Sequence, residues 1–151
     1  MAAIAATGST NFEDGVQEVM SKYMSFESQS FANGELLLEA LSELGFATVV
    51  QGKDLPLDGW DKRAGRTADI IIRRRDVKAH NLLADVGFQR TSSGYIAVID
   101  DMDLDHRLGR DFVVRLQNQY HEAAARKMAK KLGGTLVKER IGKTVKIRVR
   151  F

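Results

Sequence analysis

The chain has 151 residues, of which 44% are hydrophobic and 28% charged, with no cysteine and a net charge of +3. This length suits one ordinary domain, and the composition is that of a globular protein. No stretch approaches the roughly 18 consecutive apolar residues that a transmembrane helix needs, and the lack of cysteine excludes disulfides, thiolate metal sites and cysteine nucleophiles.

The charge is unevenly spread. Residues 1–125 carry 13 Lys/Arg and 19 Asp/Glu, a net of −6, whereas residues 126–151 carry ten and one, a net of +9. Such asymmetry bears on partners rather than on fold, and a partner of the C-terminal segment is expected to be negative.

In chain order, residues 1–10 are small and nearly uncharged, without the basic flank of a signal peptide. Thr10 and Glu13 have capping-box spacing, and Phe12, Val16, Val19, Met20 and Tyr23 then fall on one helical face. Residues 1–23 are therefore expected to form an N-terminal extension or docking arm, loose over residues 1–10 and helical from about residue 11 to 23. Its stripe of Phe12, Val16, Val19 and Tyr23 would cover either the protein's own core or a partner's groove.

Residues 24–151 are expected to form a single domain. Met24–Phe31 reads as an irregular strand, ending at Asn33 and Gly34, which are turn or cap residues. Leu36, Leu37, Ala40, Leu41 and Leu44 recur at helical spacing, and Gly45 is placed to close that helix. Phe46–Gln51 reads as a strand, and Gly52–Arg66, with the only proline and the only tryptophan, as a long connection.

The run Ile70-Ile71-Ile72 within Ala68–Arg75 suits a buried strand. Two more strands are expected at Leu82–Gln89 and Gly94–Asp100. A long helix spans Asp111–Leu132, with Asp111 as its N-cap, an apolar stripe through Phe112, Leu116, Tyr120 and Ala123, and Lys130 and Lys131 in its last turns. Gly133 and Gly134 end it. A hairpin follows, Thr135–Arg140 and Thr144–Phe151, and in its second strand Val145, Ile147, Val149 and Phe151 alternate with Lys146, Arg148 and Arg150. One face of that strand is expected to pack and the other to form a basic ridge. The element order predicts an α+β domain, a mostly antiparallel sheet with two main helices on one face.

Candidate chemistry is sparse. Asp101, Asp103 and Asp105 imitate the start of an EF-hand loop, but its sixth position is His106 where glycine is needed and its twelfth is Phe112 where glutamate is needed. A solvated acidic loop is the reading that remains. His80, His106 and His121 lack metal-ligand spacing. Neither a Walker A pattern nor G-x-G-x-x-G occurs, and no nucleophile elbow frames a serine. The residues thus give catalysis no support and imply no cofactor. Lys62, Arg63 and Arg66 are a candidate anion contact in the long connection. The C-terminal cations Lys130, Lys131, Lys146, Arg148 and Arg150 are the candidate contact for an anionic surface. The same ridge, with Arg73 to Arg75, would also suit nucleic-acid phosphates, although no aromatic residue is interleaved with it for base stacking.

From Met24 to Phe151 the chain resembles a family, the hypothetical chloroplast reading frame thirty-five proteins of cyanobacteria and algal plastids. The likeness is carried in order by MSFESQSF, LLLEALSELGF, TADIIIR, Asp85-Val86-Gly87-Phe88, SGYIAVIDD, FVVRLQNQYHEAAARKMAKKLGG and ERIGKTVKIRVRF. It departs at the basic DKRAGRT, at Phe151 in place of the family's usual tryptophan, and in the first 23 residues. The resemblance implies no catalytic residues. It implies a setting: a plastid stromal or cyanobacterial protein, peripheral to the thylakoid, acting as a subunit or assembly factor of a photosynthetic membrane complex such as a photosystem. Its expected partner is that complex or an anionic membrane surface, with nucleic acid as the alternative.

Overall fold

A computed structural model describes residues 22–59 and 65–151. The fold is α+β, as the element order predicts. Its main sheet has five strands, β1 (Tyr23–Ser25), β2 (Val50–Pro56), β3 (Thr67–Ile72), β4 (Val86–Thr91) and β5 (Gly94–Asp100), in the spatial order β1-β5-β4-β3-β2. Every neighbouring pair is antiparallel. Helix α1 (Gly34–Glu43), the short α2 (Asp101–Asp103) and the long α3 (Phe112–Lys131) complete the body. A π-helical turn at Leu104–Leu108 leads from α2 towards α3, and a separate hairpin of β6 (Thr135–Ile141) and β7 (Thr144–Arg150) follows α3.

The core forms where both helices lay their apolar stripes on one face of the sheet. Leu37, Ala40 and Leu41 of α1 and Phe112, Val113 and Leu116 of α3 meet Ile70, Ile72, Val86, Phe88, Ala97 and Ile99. The register explains why those strand residues cooperate: Ile70 pairs with Phe88, which pairs with Ala97, and directly opposed residues share a face. Phe31 packs edge-on against both Phe88 and Tyr120.

The helix ends follow from local chemistry. Asn33 caps α1 by accepting from the Leu36 amide at 3.0 Å. Both main helices end in a Schellman arrangement: the Phe46 amide donates to the Leu41 carbonyl and the Gly134 amide to the Ala129 carbonyl, each at 2.8 Å, behind Gly45 and Gly133 with φ of 97° and 77°. Asp111 precedes α3 but does not cap it. Its carboxylate instead accepts from Arg115 Nε at 3.2 Å.

Three strand positions differ from those expected, for identifiable reasons. Phe46 is spent closing α1, so β2 starts at Val50 and runs through Gly52 into Pro56. Between Gln51 and Leu55 the strand bulges, with Asp54 at φ 50° and its amide donating to Asp69 Oδ1. Proline is tolerated because β2 is an edge strand. The strand expected at Leu82–Gln89 begins only at Val86, because the amides of Leu83, Ala84 and Asp85 are taken by Asp103 and by the Asp58 carbonyl. Met24–Phe31 divides into β1 and an isolated bridge from Phe31 to Tyr95. The arm residues Phe12, Val16 and Val19 lie outside the described residues, but Tyr23, grouped with them on sequence, is the first residue of β1 and pairs with Asp100.

Candidate functional site: a basic hairpin and a carboxylate junction

The acidic residues expected as a solvated loop are only partly so: Asp105 is exposed and Asp101 half-buried, but Asp103 is enclosed. Asp100 and Asp103 are 3% and 0% exposed, and Asp85 is 1% exposed. A buried carboxylate is costly unless it is hydrogen-bonded, and each of these is. Asp100 Oδ1 accepts the Met102 and Asp103 amides, which starts α2. Asp103 accepts from the Leu83 and Ala84 amides at 2.9 and 3.0 Å, with Arg107 Nε at 3.7 Å. Burial raises the Asp103 pKa, and the two backbone amides oppose that rise.

Asp85 joins more distant segments. It accepts from the Asp58 amide at 2.9 Å, the Arg74 amide at 2.9 Å and Arg73 Nη1 at 2.7 Å. Arg74 reaches Asp58 Oδ2 at 2.9 Å. Tyr23 sits beside this group, its hydroxyl 3.5 Å from the Asp58 carbonyl oxygen, and burial together with Asp85, Asp100 and Asp58 pushes its pKa up. With these oxygens engaged by amides and guanidinium groups, the junction ties loops together. Sequence reading missed Asp85. The available signal was an acid set in the apolar run from Leu82 to Phe88.

The C-terminal cations sit on a different part of the molecule. In the hairpin, Lys146 opposes Glu139, Arg148 opposes Val137 and Arg150 opposes Thr135, so these six share one face. The other face, with Lys138 opposite Ile147 and Arg140 opposite Val145, turns towards α3. The ridge of Lys146, Arg148 and Arg150 therefore points outward, and all three residues are exposed. Among the described residues no ion pair joins any of them to a carboxylate. Lys130 and Lys131 are exposed in the last turn of α3.

The hairpin is held on α3 by Glu122, which accepts from Lys138 Nζ and from Arg126 Nη2, each at 2.9 Å; Arg126 also reaches Glu39 of α1. Its packed face is less covered than the alternation predicts. Ile147 and Val149 are half-buried, but Val145 is 41% and Phe151 79% exposed. Of the loop cations, Lys62 and Arg63 lie outside the described residues, and Arg66 donates to Ser25 Oγ at 2.5 Å.

No helix among the described residues is long and apolar enough to cross a membrane. The class these features define is an antiparallel α+β domain with an appended, outward-facing basic hairpin. A family model described as a protein of unknown function, DUF1257, matches residues 40–149, well over half of the chain, and the chain belongs to that family. The match runs from within α1 into β7 and takes in Asp58, Arg73, Arg74 and Asp85 of the carboxylate junction and Lys146 and Arg148 of the ridge. No curated protein and no solved structure matches the chain.

Proposed function

We propose that this chain is a non-enzymatic interaction protein that docks, through the outward face of β7, onto an acidic surface of a membrane-associated complex. The observation that carries this reading is the ridge of Lys146, Arg148 and Arg150. It lies on a two-stranded sheet that is separate from the core sheet, without a carboxylate partner among the described residues. Cations held in that way are available for charge complementarity, which raises association rates and selects partners. One feature supports a role without chemistry of its own: the buried carboxylates are engaged by backbone amides and arginines. The photosynthetic setting, a complex such as a photosystem approached from the plastid stroma or the cyanobacterial cytoplasm, rests on the family resemblance of residues 24–151.

Reversal of Lys146, Arg148 and Arg150 to Glu is the direct test. Wild-type protein should co-purify with gently solubilised thylakoid complexes in a salt-sensitive manner, and the triple variant should not. Equal co-purification of the two would end the role assigned to the ridge.

A second reading, single-stranded nucleic-acid binding, is favoured by one observation: Phe151 is 79% exposed next to Arg150, so an aromatic surface does adjoin the ridge. Titration with single-stranded RNA and duplex DNA at two salt concentrations separates the readings, because phosphate binding weakens steeply with salt. No binding at low salt removes the second one.

A further inference from the structure

The face of the hairpin opposite the ridge carries a separately built feature. Between the hairpin and α3 runs a half-open groove of about 490 Å³, within the size range of small-molecule sites. Leu44, Val145 and Ile147 give it an apolar surface, and Arg115, Lys138, Arg140 and Lys143 line it with positive charge. Glu122 is the one carboxylate in the lining, and it is already shared between Lys138 and Arg126. Arg115 is turned to Asp111 and to the Leu108 carbonyl. Arg140 and Lys143 have no ion-pair partner among the described residues.

The register sets the two kinds of surface side by side. Arg140 lies directly opposite Val145, and Lys138 directly opposite Ile147, so each cation shares a face with an apolar neighbour. Side chains opposed in this way start roughly 5 Å apart. A groove built so offers a guanidinium fork to a carboxylate or phosphate and, next to it, a surface that gains only from an apolar skeleton.

We propose that the groove between α3 and the β6–β7 hairpin binds an amphiphilic organic anion, a carboxylate or phosphate monoester on an apolar skeleton, its head on Arg140 and Lys143 and its apolar part on Val145, Ile147 and Leu44. This site is independent of the outward ridge, and the two are lost by different substitutions.

Calorimetric titration of the full chain with octyl phosphate, octanoate and inorganic phosphate, the amphiphiles below their micelle concentrations, tests it. At least one amphiphile should bind about tenfold or more tightly than inorganic phosphate, because only it uses the apolar surface. Which of the two binds better names the head group. The double variant R140E/K143E should weaken the amphiphile about tenfold or more. The double variant K146E/R148E, on the opposite face of the same hairpin, should leave it unchanged, and Ile147→Ser should weaken the amphiphile while leaving inorganic phosphate unaffected. The proposal is overturned if neither amphiphile binds, if inorganic phosphate binds as well as they do, or if the outward variant loses as much affinity as the inward one.

Discussion

Arg73 donates from Nη1 to Oδ2 of Asp85 across 2.7 Å, and the carboxylate that receives it is 1% exposed. The same guanidinium nitrogen reaches the Pro56 carbonyl at 3.0 Å, so one ion pair links the end of β2, the segment after β3 and the residue before β4. The start of the β2–β3 connection and both ends of the β3–β4 connection are thereby held at one point.

Removing one partner of a buried pair leaves the other charge desolvated and unmatched, which costs about 3–5 kcal/mol. Asp85→Ala should therefore destabilise the domain by about that amount. It also orphans the Asp58 and Arg74 amides. Denaturant unfolding of the variant measures the loss, and a change below about 1 kcal/mol would show that water replaces the carboxylate without penalty.

Gly94 follows the turn between β4 and β5 with φ at 130°, and a Cβ there would lie 2.6 Å from the Phe31 carbonyl oxygen. The glycine is required twice over, by its backbone conformation and by the bridge that brings Phe31 against Tyr95. Gly94→Ala should cost on the order of 2 kcal/mol or more, since backbone strain and a broken bridge add. A thermal melt within a degree or two of wild type would contradict this.

The Tyr23 hydroxyl is held protonated by burial and by the carboxylates of Asp85, Asp100 and Asp58. Its folded pKa is raised above the ordinary value of 10.0, so its contribution to stability is fully present below that pH and is lost as pH rises beyond it. Urea midpoints measured from pH 8 to pH 11 should fall more steeply at the alkaline end for wild type than for Tyr23→Phe, which has nothing to ionise. Parallel curves would exclude Tyr23 as the source.

Reversal of the ridge should separate binding from stability. Lys146, Arg148 and Arg150 are exposed and make no ion pair among the described residues, so K146E/R148E/R150E should change the unfolding free energy by no more than about 1 kcal/mol. A larger loss, read from denaturant unfolding, would mean that the ridge packs within the protein and is not a free surface.

Much of this molecule is local and is legible in the sequence. The periodicity of α1 and α3, the glycines that close them, and the alternation of β7 each depend on neighbours within a few residues, where hydrophobic spacing and backbone preference decide the outcome. The basic ridge follows from the same alternation, because side chains two residues apart on a strand must share a face.

Tertiary structure decided what depends on residues far apart in the chain. The amides of Leu83 and Ala84 look like those of a strand until Asp103, some 20 residues on, takes them. Asp85 reads as one more acid until the amides of Asp58 and Arg74 and the side chain of Arg73 converge on it. The aspartates after β5 read as a solvated loop, yet the fold buries Asp103, as it does Asp100 at the end of β5, because satisfying backbone donors repays the loss of water. The groove also depends on two elements meeting, since Arg140 and Val145 adjoin only through strand register, and the hairpin that carries them meets α3 through the Lys138–Glu122 pair and the half-buried Ile147. Charge and period were therefore properties of the sequence by itself, whereas the enclosure of charge, which needs partners from remote segments, was settled by the fold.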